Sequence, residues 1–408
     1  MHLLVIAIVE SVRGALVFSL LPQYGSLLEG YSISLIGTLV FLLYLLDNCF
    51  RIPAGWWADR QGGRVLLLNG IAISTLGVII IFTNGTKAGL LLGTSLFGMG
   101  AAPVWPVVVS QVVRKSLKSR LGESLSWVFI AWLAGSGVGI VGINFLLSQS
   151  YSAAFWFLLG ILAAAFLIAA TMSHKKIDQP DKQGLSGYIA DLGKEMASLW
   201  FLYPGMLIQT MSLGLLMPIV ALYIRGKFGM SAEQFSLILT GAGGVTVLML
   251  VPTGKIADYL GEKWMLTLGL LLSSACLIGL PFINLLYPTL FIGALLGVSY
   301  SIILPAWNRF QARVAPPEKL GSMWAVFMAI EGIGIGIGSL VGGMVGERYG
   351  YSAPFFLSGC MLLVMAMFYI LMKIENLSGN TVERIKDERD QVQVKGWANQ
   401  SRRESIRG

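Results

Sequence analysis

The sequence predicts an all-α membrane protein of twelve transmembrane helices arranged as two pseudo-symmetric six-helix bundles, and three observations carry that expectation. Of 408 residues, 55% are hydrophobic and only 12% charged, whereas a soluble domain carries about 25% charged residues. The apolar residues gather into twelve windows of about 20 residues, the length that crosses a bilayer core. The chain also repeats itself: GWWADRQGGR at residues 55–64 returns in degraded form as GKIADYLGEK at residues 254–263, an internal copy at a fixed offset of 199 residues.

Taken in order, the first six windows lie near residues 3–22, 33–57, 65–84, 88–112, 125–147 and 152–172. The second six lie near 200–224, 234–257, 264–284, 288–311, 322–346 and 353–373. No alternating pattern of the kind a membrane β-barrel needs is present, so each window reads as a helix whose backbone is satisfied internally. The implied organisation is an N-terminal bundle at 1–172, a linker at 173–199 ending in a surface-lying helix, a C-terminal bundle at 200–373 and a charged tail at 374–408. The same repeat offset carries Gly55, Asp59, Gly62 and Arg64 onto Gly254, Asp258, Gly261 and Lys263. It also carries Gly135, Gly137 and Gly139 onto Gly334, Gly336 and Gly338. The PVW at Pro103 returns as PAW at Pro305, with three residues of slippage.

Lysine and arginine are distributed unevenly. Twenty-three of the 29 lie on the even-numbered loops and the C-terminal tail, against Lys87, Arg225, Lys227 and Arg348 on the odd-numbered loops. The positive-inside rule then places both termini and the long central loop in the cytoplasm, in a protein of the plasma membrane. The net charge of +8 is explained by these loops, and a nucleic-acid partner is not expected. Cys49, Cys276 and Cys360 sit apart in apolar runs, and His2 and His174 are the only histidines; neither a disulfide framework nor a metal site is expected. No phosphate-cradling loop with a lysine and no nucleophile triad is present, so the chain reads as no enzyme and needs no cofactor. Its expected partners are membrane lipids, protons and an amphipathic or small-molecule substrate.

Ionisable residues inside a bilayer helix cost a few kcal/mol each and face a cavity or a partner. Glu10 and Arg13, at i and i+3, share one face of the first helix; Asp47 and Arg51, at i and i+4, share one face of the second. Glu331 stands alone on the eleventh. The repeat sends Glu10 to Gln209, Arg13 to Ser212, Asp47 to Thr246 and Arg51 to Leu250, so the charged wall belongs to the N-terminal half. Glu331 corresponds to Trp132 and is expected to face the same cavity. Trp105 and Trp132 can lay indole faces over sugar rings. The plainer alternative makes Glu10 with Arg13 a structural ion pair and both tryptophans packing or interface residues. Coupling to protons needs a carboxyl that holds a proton in one state and releases it in another. Asp47 and Glu10 are the candidates, with Arg13 competing against a proton for either.

Two six-helix halves with G-x-x-x-D-[RK]-x-G-x-[RK] between helices 2 and 3, carried here by Gly55, Asp59, Arg60, Gly62 and Arg64, resemble the major facilitator superfamily of secondary transporters. The weaker copy comprises Gly254, Asp258, Gly261 and Lys263. The resemblance implies a gating turn in which the glycines let helix ends approach while Asp59 caps a helix or pairs with a cytoplasmic arginine. The fourth-helix arginine of many proton-coupled members falls at Thr94 and is missing, and the fifth-helix antiporter signature is reduced to GSGVG at residues 135–139, without proline. A closer likeness lies in VESVRG, LLDNCFRIPAG, APVWP, FIAWLAG, YPGMLIQ and IILPAWNRFQAR. Together these are similar to the lipoteichoic-acid flippase group, which moves a diglucosyl diacylglycerol anchor across Gram-positive membranes in exchange for protons. That likeness implies head-group contacts at Glu10, Arg13, Asp47, Trp105 and Trp132; the flippase pattern has an amide where this chain has Glu331. Three readings stand side by side: lipid-linked sugar flippase, proton-driven drug or small-molecule exporter, and sugar or metabolite symporter. An exporter of lipophilic cations suits a carboxylate with no adjacent arginine, and a soluble-sugar carrier suits polar walls on both halves.

Overall fold

The computed structural model describes residues 1–28, 30–61, 63–115, 121–172, 184–315 and 320–372. Gly62, the first part of the linker, the charged tail and the side chains of Asp59 and Asp258 lie outside the described residues. The described residues hold twelve helices long and apolar enough to cross a membrane. They are α1 (His2–Gln23), α2 (Ile33–Ala58), α3 (Gly63–Thr83), α4 (Lys87–Val112), α5 (Trp127–Leu147) and α6 (Tyr151–Ala170), then α7 (Trp200–Phe228), α8 (Ala232–Ile256), α9 (Glu262–Phe282), α10 (Leu286–Val314), α11 (Met323–Tyr349) and α12 (Ala353–Leu371). Between the two sets runs a linker helix, Leu185–Ser198, which buries Leu192 and Met196, one turn apart.

Local chemistry sets the helix ends. The Thr86 hydroxyl accepts the Gly89 N–H at 3.1 Å to start α4, and the Ser150 hydroxyl accepts the Ala153 N–H at 2.9 Å to start α6, each satisfying a donor that the first turn leaves open. Gly229 (φ +63°) stops α7, and Gly261 of the second motif (φ +78°) turns the chain into α9, in backbone conformations that side chains other than glycine's avoid. Three spans are not uniform. From Leu16, α1 widens into π-type winding that runs to Leu28; α4 breaks at Ala102 and Pro103; and α7 breaks between Leu216 and Val220. Pro305, the repeat equivalent of Pro103, lies inside an unbroken α10.

Two apolar cores form. One is drawn from α1–α6 with Met217 added, and the other from the linker helix and α7–α12 with Ile33 added. Glycines of the fifth helix do the same work in each. A Cβ on Gly135 or Gly139 of α5 would strike the carbonyls of Ala7 and Ser11 on α1, while one on Gly338 or Gly342 of α11 would strike those of Met211 and Leu215 on α7. Small residues let the backbones of membrane helices come into contact, where dispersion and weak polar contacts hold them without any hydrophobic drive.

The halves meet where α2 packs on α11, α5 on α8, and the C-terminal part of α1 on that of α7. A Cβ on Gly37 would strike the Ser339 carbonyl, and one on Gly343 would come within 2.7 Å of the Ile33 carbonyl. Polar ties close the face opposite the termini. Arg225 Nη1 donates to Gln23 Oε1 at 2.6 Å, Gln23 Nε2 to Asn144 Oδ1 at 3.0 Å, Asn144 Nδ2 to Ser19 Oγ at 2.9 Å, and the Ser34 N–H to Glu347 Oε2 at 2.9 Å.

The motif regions are less alike than their sequences. Gly55 lies inside the α2 helix against Pro106 of α4, and Gly63 lies against Val107. Arg60 stacks over the Trp56 ring at 3.9 Å, a cation–π contact. Arg64 begins α3 and is partly buried. In the second copy Gly254 has nothing within 4 Å of its would-be Cβ, so close helix approach, expected for the motif glycines, is not its task. Lys263 sits 5.9 Å from the Trp264 ring. The contact there is made by the preceding residue: Glu262 pairs with Arg313 at 2.7 Å and Arg309 at 3.2 Å on α10.

Candidate functional site

The four N-half charges form one continuous chain. Trp105 Nε1 of α4 donates to Glu10 Oε1 at 2.9 Å. Glu10 Oε2 lies 3.1 Å from Arg13 Nε, near enough for an ion pair although the angle leaves that N–H without a hydrogen bond. Arg13 Nη1 donates to Asp47 Oδ2 at 2.5 Å, and Arg51 Nη2 donates to the same oxygen at 2.8 Å. The side chains of Glu10, Arg13, Asp47 and Arg51 are at most 7% exposed. The two i, i+3 and i, i+4 pairs of the sequence are thus both present, and the contact between Arg13 and Asp47 fuses them across α1 and α2. Two carboxylates and two guanidiniums cancel, which is how such a group can stand in the interior at all. Arg13 also lies 5.7 Å from the Tyr44 ring centroid.

Aromatic rings flank this chain. Trp132 of α5 meets Trp105 edge-on at 6.0 Å, Phe129 fills the angle between them, and Phe129 meets Trp324 of α11 at 6.1 Å across the two halves. Trp105 is buried and Trp132 partly so.

Glu331 does not stand alone. Its Oε1 accepts Trp307 Nε1 at 2.7 Å and Gln311 Nε2 at 2.5 Å, both from α10. Trp307 is the PAW tryptophan, the repeat counterpart of Trp105, so each half holds an indole N–H on a glutamate. The acids differ in position: the first helix of one half supplies Glu10, the fifth helix of the other supplies Glu331. The C-half wall is therefore not simply apolar. Sequence reasoning passed over Trp307 and Gln311, although the PVW and PAW repeat marked the first of them.

Several buried polar atoms have no partner among the described residues: Arg13 Nη2, Arg51 Nε and Trp324 Nε1, which donate, and Asp47 Oδ1, Asn48 Oδ1 and Gln311 Oε1, which accept. Such orphans are uncommon in buried sites without a bound molecule or water to satisfy them. The described residues show no group of three or more potential metal ligands.

A two-half helical bundle with a polar centre and discontinuous helices is the architecture of a secondary membrane carrier. The chain belongs to the major facilitator superfamily: the family's model matches residues 3–194 and 202–403. It is a transporter of that superfamily, not a member of a catalytic enzyme family, and a multi-pass membrane protein. It is similar to the "Proton-coupled antiporter flippase LtaA" of Staphylococcus saprophyticus, 25% identical over 92% of this chain and 94% of that one. It is also similar to the protein of that name from Staphylococcus haemolyticus, 23% identical over 90% and 92%. Among solved structures it superposes on the nucleoside transporter NupG with a TM-score of 0.73 at 13% identity, covering 91% of this chain and 99% of that one. A D-xylose–proton symporter gives 0.72 at 13%, over 90% and 95%. At that identity these last two likenesses concern the fold.

Proposed function

We propose that this chain is a proton-coupled flippase for a glycolipid with an uncharged sugar head group, such as a diglucosyl diacylglycerol anchor, working by alternating access. The observation that carries the reading is the charge-balanced chain Trp105–Glu10–Arg13–Asp47–Arg51 with unpartnered donors and acceptors around it. A hydroxyl both donates and accepts, so a sugar answers both kinds of orphan, whereas a cation answers only the acceptors. Trp105 and Trp132 offer ring faces and edges to the sugar, and the apolar stretches of the C-half wall around the Trp307–Gln311–Glu331 cluster offer room for acyl chains. The names of the staphylococcal relatives support the same class. A proton-driven exporter of lipophilic cations is the first alternative and would have to use Glu331, because each N-half carboxylate already holds an arginine; a soluble-sugar or metabolite symporter is the second.

In this reading protons and substrate compete at Glu10 and Asp47. A proton on either carboxyl frees Arg13, which stays charged throughout. The bundles at 1–172 and 200–373 rock about this midplane site beneath the linker at 173–199 and the tail at 374–408. The turns at Gly55, Asp59, Arg60, Gly62, Arg64 and at Gly254, Asp258, Gly261, Lys263 act as gates on the cytoplasmic side, where both termini lie. The test is reconstitution into liposomes carrying a fluorescent diglucosyl diacylglycerol. The expected result is exchange between leaflets faster than in empty vesicles, driven further by a pH gradient. A protein that moves no glycolipid yet expels a cationic dye against a proton gradient belongs to the exporter class.

A further inference from the structure

Three carboxylates lie well inside the described spans, away from the helix ends, and they differ in how their charge is held. Glu10 faces Arg13, and Asp47 lies between Arg13 and Arg51. Without substrate to engage the freed arginine, a proton arriving at either must break an ion pair and strand a guanidinium in the interior. Glu331 has no ion-pair partner among the described residues; its charge rests on two neutral N–H donors, both at Oε1. Its Oε2 accepts no hydrogen bond from the described residues. The charged or titratable groups facing it are Arg51 on α2, Tyr300 on α10 and Tyr369 on α12, with Gln209 of α7 tied to the Tyr369 hydroxyl at 3.1 Å. Arg51 belongs to the opposite half and is bound to Asp47, with its own Nε unpartnered.

We propose that Glu331 is a proton-binding site of the transport cycle, in which Oε2 takes up the proton while Trp307 and Gln311 keep hold of Oε1. The carboxylate and one proton from the aqueous phase on one side give a neutral acid; the O–H bond breaks toward the other side and restores the carboxylate, so nothing else is consumed. The neutral form removes the attraction of Glu331 for Arg51 across the two halves, and the charged form restores it. Proton occupancy at Glu331 thereby biases how closely α2 and α11 approach at mid-membrane, where Asn48 and Gly332 are already in contact. The site goes beyond the flippase reading, because it holds whatever substrate is carried.

Infrared difference spectroscopy of the purified full-length protein in lipid nanodiscs, titrated from mildly acidic to mildly alkaline buffer without substrate, reads the carbonyl stretch of protonated carboxyls directly. The expected result is one titrating band that disappears in Glu331→Gln and survives in Glu10→Gln. A Glu331→Gln protein that keeps every titrating band of the parent overturns the proposal. Trp307→Phe, which keeps Glu331 and removes one donor, is expected to displace the midpoint of that band; an unmoved midpoint overturns it equally and does not depend on Glu331→Gln folding. Because no glycolipid is present, failure of the flippase assay and failure of this titration are separate results.

Discussion

Replacing Asp47 by asparagine keeps the shape of the side chain and removes the one charge that two arginines share. Asp47 Oδ2 receives Arg13 at 2.5 Å and Arg51 at 2.8 Å, with the three side chains 0%, 7% and 6% exposed. At charge separations near 4 Å and an effective dielectric of about 20, each such pair represents about 4 kcal/mol of gross attraction. Removing one member of a buried ion pair costs about 3–5 kcal/mol, chiefly because the remaining charge is left uncompensated. Asp47→Asn leaves Arg51 without a carboxylate and Arg13 with Glu10 alone, a net charge of one in the interior. Asp47→Asn with Arg51→Met removes one charge of each sign and restores the balance. The expected outcome is a loss of about 3–5 kcal/mol for Asp47→Asn, and a double variant that costs less than the sum of the two single ones by about 1–3 kcal/mol. Unfolding of the purified protein in detergent, followed for all four members of the cycle, measures both quantities. Losses that add to within about 0.5 kcal/mol refute the picture of a shared buried charge, and Asp47 then acts on transport alone.

Other outcomes follow from the packing. Gly139→Ala places a methyl against the Ser11 carbonyl and should destabilise by about 1–3 kcal/mol. Gly137→Ala, two residues away with nothing within 4 Å, should be neutral or gain about 0.5–1 kcal/mol; thermal melts of the two compare them directly. Arg225→Ala removes the bond to Gln23 on the face opposite the termini, a charged hydrogen bond worth about 1.5–3 kcal/mol. It should raise the rate at which a cysteine introduced at the interior end of that latch reacts with a membrane-impermeant thiol reagent, and an unchanged rate denies the latch a gating role. Arg309→Ala should cost under about 1 kcal/mol, because Arg309 is 49% exposed and Arg313 still holds Glu262. A reporter active only outside the cell, fused to the C-terminus, should stay silent; signal reverses the assigned topology.

The twelve spans were legible because length and apolarity alone decide them: every membrane-crossing helix among the described residues coincides with a window to within a few residues. The pairs Glu10–Arg13 and Asp47–Arg51 were legible for a similar reason, since helical spacing places them on one face before any tertiary contact exists. The fusion of those pairs into one chain was not, because it depends on how α1 crosses α2. Glu331 shows the same limit more sharply. Its donors Trp307 and Gln311 lie 24 and 20 residues upstream on another helix, a separation that no periodicity connects. Gly135 and Gly139 were visible as a repeated pattern, yet that they bear on α1, as Gly338 and Gly342 bear on α7, is a property of the packed bundle. Proline was an unreliable guide: Pro103 coincides with a break and Pro305 does not, since a helix can close around a proline when its neighbours hold it.

The indole pairs Trp105–Glu10 and Trp307–Glu331 carry an implication for how a buried acid can change its helix. The tryptophan donor stands on the fourth helix of each unit, while the acid it anchors lies on the first helix in one copy and on the fifth in the other. A fixed donor that is reachable from two helices frees the acid to migrate with no backbone rearrangement, one substitution installing the new carboxyl before another deletes the old. Gln209 occupies in the second unit the position that Glu10 occupies in the first. The fourth-helix tryptophan is thus an anchoring post with interchangeable moorings, able to hold an acid from either of two helices of the same six-helix bundle.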